Sequence, residues 1–233
     1  MFSYDDAVVE QYPGIHAGVI LATGLINGPS SPELVAAFQA EQAAVTARLH
    51  GTEMAEIPSI AAWRRAFTRF GAKPTQYRNA AESLLRRLSK QGDIPTISTL
   101  VDMGNLISIR YALPVAIFDQ DQIAGEITVR LAKGDEPFAD LGSSESVHPE
   151  PGEVIFVDER NDVSARRWCW RQSAKSATNP STVNALIVIE AHHETARSDI
   201  QSAVDDMVAL LETYQPESAF TTFSLSASEP RRG

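Results

Sequence analysis

The chain has 233 residues, 43% hydrophobic and 21% charged. That composition excludes a disordered or low-complexity polymer and suits one large domain or two small ones. A net charge of −10 excludes a generic polyanion binder, so any nucleic-acid contact must rest on a local patch.

Cys169 is the only cysteine, which leaves no internal disulfide and no argument for secretion. The first residues, MFSYDD, lack the basic and apolar regions of a signal peptide, and no apolar run approaches the roughly 20 residues of a membrane span. The chain reads as cytoplasmic, with no membrane partner.

Residues 14–25, GIHAGVILATGL, are apolar, β-branched and bounded by glycine, which predicts a buried strand. Ser31-Pro32 then reads as an N-cap and first helical position, opening a helix to about Leu49 with Gly51 beyond it. Ile60, Trp63, Phe67 and Phe70 recur at helical spacing over 58–70, and Gly71 closes that helix. Pro74 begins another amphipathic stretch, ending at Gly92, and a further helix is expected over 97–111.

From there strands dominate. VAIFD (115–119) and EITVRLA (126–132) are expected to form a hairpin-like pair. VIFVD (154–158), VSARRWCWRQ (163–172) and VNALIVIE (183–190) are expected as further strands. Residues 195–214 form a closing amphipathic helix, with Ile200, Val204, Met207, Val208 and Leu211 on one face. The sum is one α/β (α+β) domain over 1–215, with a helical first half and a mostly antiparallel strand-rich second half. Residues 216–233 read as a weakly ordered tail.

Three groups of residues carry candidate chemistry. Between Arg64 and Lys90, eight cationic residues face Glu82 alone, a local charge of +7 that leaves −17 for the rest of the chain. Such polarity suits a face for phosphates, or else a set of solvated helix faces. In Arg166-Arg167-Trp168-Cys169-Trp170-Arg171-Gln172, strand alternation would put Arg167, Cys169 and Arg171 on one side and the tryptophans on the other. Guanidinium beside indole suits stacking on a base with an arginine on phosphate; the alternative is a tryptophan pair in the core with snorkelling arginines. Glu153, after Pro151-Gly152, is a candidate general base or a solvated turn carboxylate.

Other motifs fail. His192-His193-Glu194 lacks the spacing of a zinc site, and no phosphate-binding glycine loop or Gly-x-Ser-x-Gly elbow is present. No metal or organic cofactor is expected.

Asp102, Asn105, Pro114, Phe118-Asp119, Ile123-x-Gly125 and Val129-Arg130-x-Ala132 stand in the order of a known pattern, followed by Thr182-Val183-Asn184 leading to Ile189-Glu190. Over 63–190 the chain resembles the B3/B4 domain, found in the phenylalanyl-tRNA synthetase β-subunit and in freestanding proteins. FGAKPTQYRNAAESLLRRL, IPTISTLVD, PGEVIFVD and RRWCWRQS resemble the freestanding branch. Ala116 stands where the synthetase pattern has a histidine, and Arg166-Arg167-Trp168 where it has an Ala-Gly-rich segment.

The resemblance implies an RNA-binding protein that hydrolyses mischarged aminoacyl-tRNA in trans and has no ligase activity of its own. Its partner would be the 3′ end of a tRNA or aminoacyl-tRNA. On this reading Glu153 orients water, while Arg167, Trp168, Trp170 and Arg171 hold the 3′ end. Asp102 and Asn105 brace the pocket, and Arg78, Arg86 and Arg87 approach phosphates. The alternatives are a non-catalytic tRNA-binding module, or a protein that binds an amino acid or nucleotide on the same fold.

Overall fold

The computed structural model describes residues 1–143 and 145–232. Capping chemistry sets its helix boundaries. Asp5 opens α1 (Asp6–Gln11), between strands β1 (Phe2–Tyr4) and β2 (His16–Thr23). Ser31 Oγ accepts from the Leu34 N–H at 3.3 Å to start α2 (Pro32–Arg48). Pro58 occupies the first turn of α3 (Pro58–Arg69). Asn79 Oδ1 accepts from the Glu82 N–H at 2.9 Å and starts α4 (Ala80–Gln91), which Gly92 closes in the left-handed conformation. The helix expected from Pro74 thus begins only at Ala80, where a cap is available. α5 spans Thr99–Tyr111.

The remaining elements are β3 (Val115–Asp119), β4 (Ile127–Leu131), β5 (Phe138–Ala139), β6 (Ser146–Val147), β7 (Val154–Val157), β8 (Val163–Arg166), β9 (Arg171–Gln172), β10 (Ala185–Ala191), α6 (Ala196–Tyr214) and β11 (Ala219–Ser226). They build a four-stranded antiparallel sheet, β11-β2-β10-β3, and a five-stranded sheet, β1-β4-β7-β8-β9, in which only β1 and β4 are parallel. β5 and β6 pair separately.

Three sequence expectations need correction. β3 and β4 do not pair: β3 lies beside β10 in one sheet and β4 between β1 and β7 in the other, so the segment joining them crosses between layers. Residues 163–172 are not one strand but β8, a four-residue loop and β9. Residues 216–233 were expected as a tail, but β11 pairs with β2 along its whole length, and the Tyr4 N–H then donates to the Pro230 carbonyl at 2.9 Å.

The two sheets and the helices form three layers. One face of the four-stranded sheet carries Ile20, Ala22, Ile117, Ile187 and Ile189 against α2, α4, α5 and α6. Its other face carries Val19, Phe118, Leu186 and Val188 against Val129, Val154 and Phe156 of the second sheet, with Trp63 and Phe67 of α3 filling one end. β10 lies between these layers and is buried at every residue. Among the described residues, no helix is long and apolar enough to cross a membrane.

Gly18 of β2 lets α6 approach closely, since a Cβ there would sit 2.3 Å from Val204 Cγ2 and 2.9 Å from Ile200 Cγ2. Gly18→Ala should therefore destabilise the fold by about 1–3 kcal/mol. Denaturant titration checks this, and an unchanged midpoint would mean α6 is not seated so tightly.

Candidate functional site

The loop between β8 and β9 holds two consecutive non-glycine residues at positive φ, Arg167 at 44° and Trp168 at 60°. Such backbone is held only where its surroundings over-determine it. Here the Trp168 N–H donates to the Val154 carbonyl at 2.6 Å, and the Cys169 carbonyl accepts from the Ala80 N–H at 2.9 Å. The loop is thus tied both to its own sheet and to the start of α4.

The turn undoes strand alternation and divides the two tryptophans. Trp168 is fully buried, edge-on to Tyr12, Trp63 and His192. Trp170 is half-buried and sits among three guanidinium groups, with Arg167 and Arg171 at 4.8 and 4.7 Å from its ring centroid and Arg166 at 6.0 Å. Arg167 also lies 4.0 Å over the Tyr77 ring. The middle of the basic stretch therefore meets this loop. Cys169 does not share a strand face with Arg167 and Arg171, because no strand runs through it.

Beneath the loop, Trp168 and Val188, with Phe118 and Phe156, wall a cavity of about 70 Å³. Ala116 and Pro114 line one side, and Cys169, Trp170 and Arg171 another. Burial pushes the Cys169 thiol up, out of the thiolate range. Glu190 of β10 also lines the cavity, only 3% exposed. Its Oε1 accepts from the Tyr4 hydroxyl at 2.6 Å and from Trp168 Nε1 at 3.0 Å. Burial raises its pKa to about 7, and those two donors only partly offset the rise. Sequence reasoning gave Glu190 no role, although a carboxylate inside the apolar run VNALIVIE was the available signal.

Glu153 lies elsewhere. It is 4% exposed, and its Oε1 accepts from Arg166 and pairs with Arg167, each at 2.8 Å, while Oε2 accepts from Arg166 Nε at 3.2 Å. Both oxygens are taken by guanidinium groups. Glu153 thus holds the two arginines in place beneath Trp170 and has little capacity left to orient a water. Arg171 is more exposed and pairs with Asp140.

Asp102 and Asn105 do not line the cavity. Fully buried Asp102 accepts from Ser30 Oγ at 2.5 Å and from the Ile97 N–H at 2.9 Å, fastening loops in the helical layer. Asn105, on the same helix, is half-buried. Arg64 and Arg86 donate to buried Glu82 at 2.7 and 2.8 Å, with Arg78 Nε at 3.8 Å. Three cations around one carboxylate leave that face positive. Arg87 instead donates to the Asp93 carbonyl.

The B3/4 domain model matches residues 62–215. The chain is similar to phenylalanine–tRNA ligase β-subunits. It is 33% identical to that of Neisseria gonorrhoeae over 106 residues, which is 46% of this chain and 13% of the relative. It is 43% identical to that of Staphylococcus saprophyticus over 79 residues, 34% of this chain and 10% of the relative. The Shewanella oneidensis subunit is 26% identical over 157 residues, 67% of this chain and 20% of the relative. The chain thus spans about a fifth or less of the curated relatives it matches. Among solved structures, an N-terminal fragment of the Pyrococcus horikoshii β-subunit is 16% identical, with a TM-score of 0.44 over 54% of this chain and 45% of that one. With the family model spanning most of its length, from the third long helical segment through the closing helix, the chain belongs to the B3/4 domain family.

Proposed function

We propose that this protein binds the aminoacylated 3′ end of a tRNA at the Trp170 loop and hydrolyses the ester. The observation that carries the reading is Glu190, a buried carboxyl at a small apolar cavity that Trp170 and Arg171 also line, with Arg167 stacked on the same indole. The similarity to phenylalanine–tRNA ligase β-subunits supports RNA as the class of partner. A volume of about 70 Å³ holds about two waters, at ~30 Å³ each, or a small side chain; small-ligand sites run from roughly 300 Å³. The cavity therefore suits an aminoacyl group better than a nucleotide, which separates this reading from a nucleotide-binding protein.

In the proposed complex the terminal adenine stacks on Trp170, and Arg171, the most exposed of the three arginines, meets the adjoining phosphate or the oxyanion. The aminoacyl side chain enters toward Glu190. Water adds to the ester carbonyl carbon, the bond to the ribose oxygen breaks, and the proton lost by the water ends on that oxygen. The products are a free amino acid and an uncharged tRNA. Glu153 serves as a positioning residue through Arg166 and Arg167.

A second reading is favoured by one observation: both carboxylate oxygens of the expected base, Glu153, are engaged by arginines. The same cleft would then bind the 3′ end without turnover. Deacylation of a panel of mischarged tRNAs separates the two. Hydrolysis of one member, reduced about tenfold or more in Trp170→Ala through loss of stacking, supports the hydrolase. Binding without turnover selects the second reading, and neither activity removes RNA from the function.

A further inference from the structure

A second recess lies on the other side of the aromatic cluster, between α3 and the segment Tyr12-Pro13-Gly14. Its volume is about 480 Å³, within the range of small-ligand sites, roughly 300–1,000 Å³. Ala62 and Ala66, one turn apart on α3, line it with side chains too short to fill it, and Arg65 and Arg69, also one turn apart, stand at its mouth. Neither arginine has a carboxylate partner among the described residues. In a chain of net charge −10, two unneutralised guanidinium groups over one recess form a local anion trap. Arg69 is already held, donating to the Gln11 carbonyl with its Cζ 5.7 Å over the Tyr12 ring.

A second observation points to a ligand. Tyr12 lines the recess and is 4% exposed, yet its hydroxyl has no hydrogen-bond partner among the described residues. His192 lines the same recess with its Nε2 equally unpartnered. Burial raises the Tyr12 pKa to about 12 and lowers that of His192 to about 3, so the phenol keeps its proton and the imidazole is neutral. Orphaned polar atoms are costly in a dry interior, and a bound ion is one of the things that completes them.

We propose that the recess between Tyr12 and the Arg65–Arg69 pair is a second binding site, selective for a phosphoryl group on a molecule of nucleotide size. Two guanidinium forks match the several oxygens of a phosphate, Tyr12 offers a neutral donor and an aromatic wall, and the volume exceeds what a bare carboxylate needs. The site is separate from the Trp170 cleft: Trp168 stands between them, edge-on to Tyr12 at 4.8 Å while also walling the Glu190 cavity.

Calorimetric titration of the full chain at low salt tests this, with inorganic phosphate, adenosine monophosphate and a short RNA hairpin as probes. The double variant Arg65→Ala/Arg69→Ala and the cleft variant Arg171→Ala run alongside. The arginine pair is exposed, so the double variant should fold. Saturable binding of inorganic phosphate, weakened about tenfold or more in the double variant and unchanged in Arg171→Ala, is the expected result; nucleotide binding that Arg171→Ala loses and the double variant keeps belongs to the Trp170 cleft. If only the hairpin binds and only the double variant weakens it, the phosphoryl group belongs to an RNA backbone. No saturable binding of any probe overturns the proposal, as does phosphate binding that survives in the double variant or is lost in Arg171→Ala. None of these outcomes depends on whether the Trp170 cleft hydrolyses an ester.

Discussion

Glu153→Ala lowers the thermal midpoint by roughly 10 °C, the largest effect expected of any substitution near the Trp170 loop. Glu153 counters both Arg166 and Arg167, whose side chains are 9% and 12% exposed. Removing one partner of a buried pair leaves charge in a low dielectric with nothing to oppose it, at a cost of about 3–5 kcal/mol. Here two guanidinium groups are stranded at once. Glu153→Gln keeps the shape and one acceptor, so its loss should be intermediate. Arg171→Ala removes a solvent-screened pair with Asp140 and should change stability by about 0.5 kcal/mol or less. Differential scanning calorimetry of the three variants checks the ranking. A midpoint unmoved in Glu153→Ala would mean the two arginines swing out to water in solution, and with them the proposed role of Glu153 as their anchor.

Glu190→Gln is expected to make the protein more stable than wild type above neutral pH and no different in acid. The glutamate moves from the ordinary 4.5 to about 7 on folding. Between those values the folded state keeps a proton that the unfolded state has lost, so stability falls as pH rises from about 4.5 to about 7 and stays reduced above it. The full loss amounts to about 3 kcal/mol. Glutamine keeps the Oε1 acceptor for Tyr4 and Trp168 but cannot ionise.

His192 contributes the opposite slope. Its value drops from 6.5 to about 3, so stability falls as pH drops below about 6.5, where the unfolded histidine takes up a proton. In wild type the two slopes oppose each other between about 4.5 and about 6.5. In Glu190→Gln only the acid slope remains. Denaturant midpoints across pH test this, and a stability difference between the two proteins that does not vary with pH would show that Glu190 keeps its ordinary carboxylate pKa in the fold.

The helical half was legible because its boundaries are written in local chemistry. Ser31-Pro32 and Gly92 each act within a turn of where they stand, and no distant contact can move them far. The Trp170 loop was illegible for the opposite reason. A hairpin with two residues at positive φ is normally announced by glycine or asparagine; here Arg167 and Trp168 occupy those positions, held by Val154 and by the docking of Ala80. Alternating arginine and tryptophan then imitates a strand.

β3 and β4 looked like a hairpin because a short connection carries no mark of crossing between sheets. β11 looked like a tail because AFTTFSLS is rich in serine and threonine, and its partner β2 lies at the other end of the chain. Of the site, the arginines and tryptophans were visible as a cluster. That Glu153 is their counter-ion, and that Glu190 reaches the cavity, depends on pairings between segments far apart in sequence.

The strand order of the four-stranded sheet has a consequence for how the chain is made. β2 is synthesised well before both of its partners, since His16 pairs with Ala191 of β10 on one side and Ser226 of β11 on the other. At ~5–20 residues per second, a ribosome leaves β2 without either neighbour for roughly ten seconds or more. Throughout that interval both edges of an apolar strand are open to whatever meets them first. Unassisted refolding, limited by pairings of long sequence separation, is expected in the slow range of milliseconds to seconds.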